Sequence, residues 1–270
     1  SKPLSEITNR SRIKRCYFPW MIGNEGKNVD FTYALGALLG DGCSRDNKIT
    51  TGKCHRNINI SADGDLIPAY IANLLGCEYK KCSGDNFTYS INYGVGVVDA
   101  IPFYKEWCSG RYAHEKIADW GEINAWDRES ALMFLAGIID TDGSIYYKNN
   151  KKTEAVINIG MQAKSIVECC ANIVFKFFQE KMTIHVDNRE KYVNGCVYYA
   201  KTTSNLQVIN ILNEINKYLI RKKDFDTSTL YLRNVIEDRI GLTKGIPYLA
   251  ETYDITVSNN TSLYCLHEGG

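Results

Sequence analysis

Asp41 and Asp142 are the residues of this 270-residue chain best placed to do chemistry. Each closes an apolar run, each precedes a glycine, and they lie 101 residues apart (142 minus 41), in "ALGALLGDG" (34–42) and "LAGIIDTDG" (135–143). One Asp-Gly after a helical run is an ordinary stop signal; two in register across a long repeat ask for a shared purpose. A carboxylate at a helix C-terminus sits at the negative end of the helix dipole, and two brought side by side repel. A divalent cation held through oxygen by both would relieve the conflict.

The elements that must position these aspartates repeat with them. The apolar runs 31–39 and 132–139 have a helical pattern, and small residues recur in them at i, i+4: Gly36 and Gly40 in the first, Gly137 and Thr141 in the second. That spacing lays them on one face and lets two helix backbones approach closely, a use that offsets the roughly 1 kcal/mol glycine costs in a helix interior. The glycine after each aspartate is expected in the left-handed C-cap conformation. Downstream come a strand pair (48–61; 144–162), an amphipathic helix (65–76; 165–182), a second strand pair (78–94; 183–203) and a third helix (96–108; 205–219). The fold class is α+β, a tandem αββαββα repeat with two antiparallel sheets. The expected boundaries are a basic N-terminal extension over 1–29, halves over 30–127 and 128–243, and a tail over 244–270; residues 226–243 read as a closing helix.

Composition narrows the class. No run approaches the roughly 18 apolar residues of a membrane span, and the first residues carry no apolar core of a secretory signal, so an intracellular protein is expected. Ten cysteines include no CxxC pair, and Cys169-Cys170 lie in an apolar helical pattern, so they read as reduced structural thiols. The net charge is only +1, but its distribution matters more than its sum. Residues 1–29, 44–60 and 144–164 are basic, and the last two occupy the same place relative to the two aspartates.

"LAGIIDTDG" resembles the signature of the LAGLIDADG homing endonucleases, and "ALGALLGDG" looks like its more divergent first copy. Single-chain members carry two such motifs and fold as pseudo-symmetric αββαββα halves, monomeric, with saddle-shaped sheets that straddle a long asymmetric DNA duplex. They cleave both strands with Mg²⁺, for which Mn²⁺ commonly substitutes. The resemblance implies that the eighth motif position, Asp41 and Asp142, supplies the metal ligands. Asp140, at position six, matches Leu39 in the first copy and is not treated as equally essential. Family members often add a lysine beside each metal. In "HEKIAD" the candidate is Lys116, and in "IRKKDF" the candidates are Lys222 and Lys223, where a similar segment of the yeast vacuolar-ATPase intein endonuclease favours Lys223. The tail "TYDITVSNNTSLYCLHEGG" (252–270) resembles the last block of intein splicing domains without its His-Asn ending, and no splicing-type block precedes residue 30; an endonuclease of intein-type ancestry without splicing activity is the expectation.

On such a fold one sheet face packs on helices and the other would meet the major groove. Candidate DNA-binding residues are Arg45, Lys48, Lys53, Arg56, Lys80 and Lys81 in the first half, and Lys148, Lys151, Lys152, Arg189, Lys191 and Lys201 in the second. Asn57, Asn59, Asn149, Asn150 and Gln162 could add base-edge contacts. Rival readings are an RNA-binding intron maturase and a non-cleaving DNA-binding regulator on the same fold. Eroded motif carboxylates would favour either, and both Asp41 and Asp142 are present.

Overall fold

The structure, a computed structural model, describes residues 12–14, 26–47, 55–84, 87–92, 101–108, 113–189, 195–232 and 237–239. In chain order its elements are β1 (Arg12–Lys14), α1 (Thr32–Asp41), β2 (Gly42–Asn47), β3 (His55–Ser61), α2 (Leu66–Leu74), β4 (Glu78–Lys81), β5 (Thr88–Asn92) and α3 (Tyr104–Trp107). There follow α4 (Trp120–Asn124), α5 (Arg128–Thr141), β6 (Gly143–Tyr147), β7 (Ala155–Met161), α6 (Lys164–Phe178), β8 (Thr183–Asp187), β9 (Val197–Lys201), α7 (Asn205–Ile215) and β10 (Glu237–Arg239). No described helix is long and apolar enough to cross a membrane.

The chain divides into two compact units, one of residues 20–233 and one of the terminal segments 1–19 and 234–270. In the larger unit each half reads αββαββα. The first sheet has the order β2-β3-β5-β4, and the second repeats it as β6-β7-β9-β8, every pair antiparallel. In the smaller unit β1 and β10 pair antiparallel, Ile13 opposite Asp238.

Residue pattern explains the layers. In β7, Ala155, Ile157, Ile159 and Met161 alternate onto one buried face, as period-two side chains must when one sheet face packs on helices. Ile58, Ile60 and Ile91 do the same in the first sheet. In α6, Ile166, Val167, Cys170, Ile173, Val174 and Phe177 form one buried stripe, the ordinary pattern of a helix laid on a sheet. Helices α1 and α5 differ: residues 32–39 and 134–141 are all buried. A helix apolar on every side belongs in the interior, and these two pack on each other between the halves. Asp127 starts α5 by accepting a hydrogen bond from the Ser130 amide (2.8 Å), which satisfies one of the free amides of the first turn. Trp107, Trp126 and Phe134 pack against one another beside it.

Three local expectations are corrected. Residues 226–232 form turns rather than a closing helix, and Glu237–Arg239 is a strand; Asp226 accepts from Ser228 N (2.9 Å), an Asx-type turn that competes with helix. The third helix of the first half is only Tyr104–Trp107 among the described residues of 96–108. Gly42 is extended (φ −83°, ψ 155°), not left-handed, and Gly143 is absent from the positive-φ residues. These glycines are needed for space: a Cβ on Gly42 would lie 2.7 Å from Leu38 Cα, and one on Gly143 2.6 Å from Ile139 Cα. The chain leaves each helix so sharply that it grazes the last turn.

The described cysteines are thiols outside any disulfide; Cys108, Cys169 and Cys170 are buried, and burial pushes the Cys108 and Cys169 thiols up to about 12. Such groups behave as small hydrophobes.

Candidate metal and nucleic-acid site

The site is built where α1 and α5 run side by side and end together. Gly36 meets the Phe134 carbonyl, and Gly137 meets the Tyr33 carbonyl, each so closely that a methyl group would overlap the oxygen. Farther along, a Cβ on Gly40 would lie 2.8 Å from the Cβ of Thr141 and 3.1 Å from an Asp142 carboxylate oxygen. Thr141 turns its hydroxyl back onto its own helix, donating to Gly137 O at 3.0 Å. Small residues thus bring the two backbones into contact, and this contact sets Asp41 and Asp142 beside each other.

Their proximity is visible in their acidity. Burial raises Asp142, and the nearby charge of Asp41 raises it further, to about 7. Burial also raises Asp41, opposed by the cations Arg221, Lys116 and Lys222 in that order. Burial and a neighbouring like charge both disfavour the ionised form of a carboxylate, and the three cations oppose them.

A lysine closes each helix end. Lys116 Nζ donates to Leu39 O (2.8 Å) and Gly40 O (2.7 Å), with Leu38 O at 3.4 Å. Lys222 Nζ donates to Ile139 O (2.5 Å) and Asp140 O (3.0 Å), with Thr141 O at 3.4 Å, and reaches Gly143 O at 2.6 Å. Residues 139–141 are residues 38–40 shifted by 101, so the two lysines make the same cap in the two halves. Each places a positive charge on the negative end of a helix dipole, so the cap shares with any bound cation the task of offsetting the aspartates. Burial lowers both ammonium groups, Lys222 to about 8, with Arg221 adding to the effect.

The segment carrying Lys222 is held by Asp140. This fully buried carboxylate accepts from Tyr33 OH (2.9 Å), Ile220 N (2.6 Å), Arg221 N (3.2 Å) and Lys222 N (2.9 Å). Lys222 therefore faces the helix end, while Lys223, the residue the sequence favoured, is exposed. Sequence reasoning also missed Arg221, whose charge is the largest cationic influence on Asp41. Nothing in "IRKK" itself marks which of its three cations turns toward the carboxylates.

Among the described residues no group of three or more His, Cys, Asp or Glu could hold a metal ion. The donor set still fits a hard divalent cation. Magnesium keeps several waters and is commonly bound through one or two carboxylates plus substrate phosphates, which is what Asp41 and Asp142 leave room for.

The basic candidates are scattered on the sheets. Lys80 and Lys81 follow each other in β4 and so point to opposite faces. Lys80 lies opposite Ser90, on the face away from the helices, whereas Lys81 lies opposite Tyr89, its ammonium 5.9 Å from that ring. Lys201, opposite Asn158 and Thr183, stands on the open face of the second sheet with its ammonium 5.4 Å from the Tyr199 ring. Lys148 and Lys151 are exposed in the β6–β7 turn. Lys152 is drawn over Tyr147 (5.5 Å), on the helix side. Arg189 forks onto Asp187, and Asn149 spends its amide on Thr153 within the turn. Arg45 and Arg56 are described only by pairing, with Asn57 and Asp46; Lys48, Lys53 and Lys191 lie outside the described residues. The open face of the second sheet adds the uncharged polar residues Tyr146, Asn158 and Tyr199.

No protein-family model and no curated protein matches the chain. Solved structures similar to it include a doubly substituted I-DmoI in complex with its nicked target DNA and in the presence of manganese (17% identity, TM-score 0.49, 70% of this chain and 96% of that one). The homing endonuclease I-WcaI bound to its DNA recognition sequence is another (15% identity, TM-score 0.47, 72% and 84%). A third is full-length DUF199/WhiA from Thermatoga maritima (12% identity, TM-score 0.45, 68% and 54%). At these identities and scores the likenesses carry no residue role to this chain.

Proposed function

We propose that this protein is a site-specific endonuclease of the LAGLIDADG homing type, hydrolysing both strands of a long asymmetric DNA duplex with a divalent metal held by Asp41 and Asp142. The observation that carries the reading is the duplicated half-site: two helices in backbone contact, two crowded carboxylates at their ends, and a lysine capping each end on carbonyls related by the same 101-residue shift. A duplicated hydrolytic centre is what two antiparallel strands of opposite polarity require, and a single-site enzyme has no use for it.

In this reading the open sheet faces lie along the duplex, with Lys80 and Lys201 on phosphates and the amide and phenol groups beside them on base edges. The metal, Mg²⁺ or Mn²⁺, would supply a polarised phosphate and an activated water. Asp41 and Asp142 would hold it through their ionised carboxylates. Lys116 and Lys222 neutralise charge developing on the phosphate, and Arg221 adds a third cation. The sequence boundaries assign these roles to halves 30–127 and 128–243, flanked by the extension 1–29 and the tail 244–270.

Selection for cleavage from a randomised duplex library with Mg²⁺, run beside a Ca²⁺ control, tests the proposal. Recovery of one long asymmetric site, cut with Mg²⁺ and intact with Ca²⁺, is the expected result. Enrichment by binding with no cutting would instead identify a regulator, and no duplex binding at low salt would redirect the search to RNA.

A further inference from the structure

We infer that Asp140, together with Tyr33, is a positioning residue for Lys222 and acts in one half-site alone, so that the two DNA strands are cut by differently supported lysines. The inference rests on the endonuclease reading above.

Both oxygens of Asp140 are in use. Oδ2 accepts from Tyr33 OH and Ile220 N, and Oδ1 from Arg221 N and Lys222 N. Three consecutive backbone amides are thereby fixed to the interior, and the last of them belongs to the lysine whose ammonium reaches Ile139 O and Gly143 O. The clamp joins segments 80 to 82 residues apart, and Tyr33 ties it to the opposite helix.

The first half solves the same problem without it. The 101-residue shift maps Asp140 onto Leu39 and Tyr33 onto Phe134, and both of these apolar residues are fully buried. Lys116 is held instead by local backbone bonds, its own amide to Ala113 O (3.4 Å) and that of Ile117 to Trp107 O (3.0 Å). The two halves therefore reach one lysine geometry by different devices. Burying a carboxylate carries a desolvation cost that an apolar pair avoids, and the first half shows that such a pair fits between these helices. What the carboxylate adds is orientation of residues 220–222.

The molecule supplies its own control. Tyr33→Phe combined with Asp140→Leu transplants the first half's pair into the second and frees the three amides, keeping the branching and heavy-atom count at position 140 while replacing two oxygens by bulkier methyl groups. Supercoiled plasmid carrying the selected site, with both strands end-labelled, resolves the two cuts. Cleavage of one strand is expected to slow about a hundredfold, with the other near wild type, so that nicked circle accumulates. A second readout needs no cleavage: in the metal-free protein, acylation of Lys222 and hydrogen exchange of amides 220–222 should rise roughly tenfold or more while Lys116 labelling stays unchanged. Asp140→Asn, which keeps one acceptor oxygen, should fall between, and it serves if the double variant does not fold. Equal slowing of both strands, or unchanged Lys222 labelling in a folded variant, overturns the inference. Failure of the wild type to cut either strand overturns the nuclease reading instead.

Discussion

Lys222 and Lys223 are adjacent and identical in chemistry, yet they have opposite fates: one is bonded to four main-chain positions at the end of α5, the other is exposed. Lys222→Met and Lys116→Met are each expected to lower cleavage about a hundred- to a thousandfold, the size of losing one preorganised charge-stabilising donor. Lys223→Met should leave cleavage near wild type. Strand-resolved rates with duplex binding measured alongside check all three. Asp142 gives a prediction in pH. Its folded-state value is raised to about 7 from 3.8, so the folded protein keeps a proton that the unfolded chain releases. Its contribution is then most favourable below pH 4 and is lost as pH rises through 7. Asp142→Asn should raise the thermal midpoint of the metal-free protein at pH 8, and the gain should vanish toward pH 4; thermal melts in EDTA across that range decide it. The two aspartates could be read from sequence because the repeat marks them. Asp140 could not, because its partners at 220–222 lie about 80 residues away, and without that clamp nothing in "IRKK" says which lysine turns inward.

Helices α1 and α5 carry the site because glycine lets them touch. A Cβ on Gly137 would overlap the Tyr33 carbonyl oxygen and lie 2.8 Å from Ala37 N. Gly137→Ala should therefore destabilise the fold by about 1–3 kcal/mol or more, as overpacking does, despite alanine's better helix propensity; chemical denaturation measures it. Gly42 makes a sharper test. Its φ of −83° is open to any residue, and only the contact with Leu38 demands glycine. Gly42→Asn should then be no better tolerated than Gly42→Ala, whereas at a left-handed cap asparagine would be the better replacement. At this scale the sequence was informative where periodicity was strong. The αββαββα order of both halves and the amphipathic α6 followed from it. The left-handed cap did not hold because Asp-Gly looks the same whether glycine supplies a positive φ or an absent Cβ. The expected helix over 226–243 did not hold at its described residues, 226–232 and 237–239, because Asp226 and its neighbours bond within a turn and Glu237–Arg239 is a strand.

Over the whole molecule, the proposed function asks a near-neutral chain to hold a polyanion. Its net charge is +1, so attraction must come from where the cations stand, and among the described residues Lys80 and Lys201 stand on the open faces. Duplex affinity should fall linearly in log–log form with salt, and Lys80→Ala and Lys201→Ala should each reduce the slope by about one, whereas Lys152→Ala, folded over Tyr147, should change it little. Fluorescence titrations over a salt series give those slopes. The tandem architecture predicts one further property: each half supplies one aspartate, so neither carboxylate is a spare. The most direct test is strand-resolved cleavage of the selected duplex in Mg²⁺ by the wild type, Asp41→Asn and Asp142→Asn. The account predicts that the wild type cuts both strands while each variant binds the intact duplex and loses cutting by several orders of magnitude. Both strands cut at wild-type rates by either folded variant would contradict it.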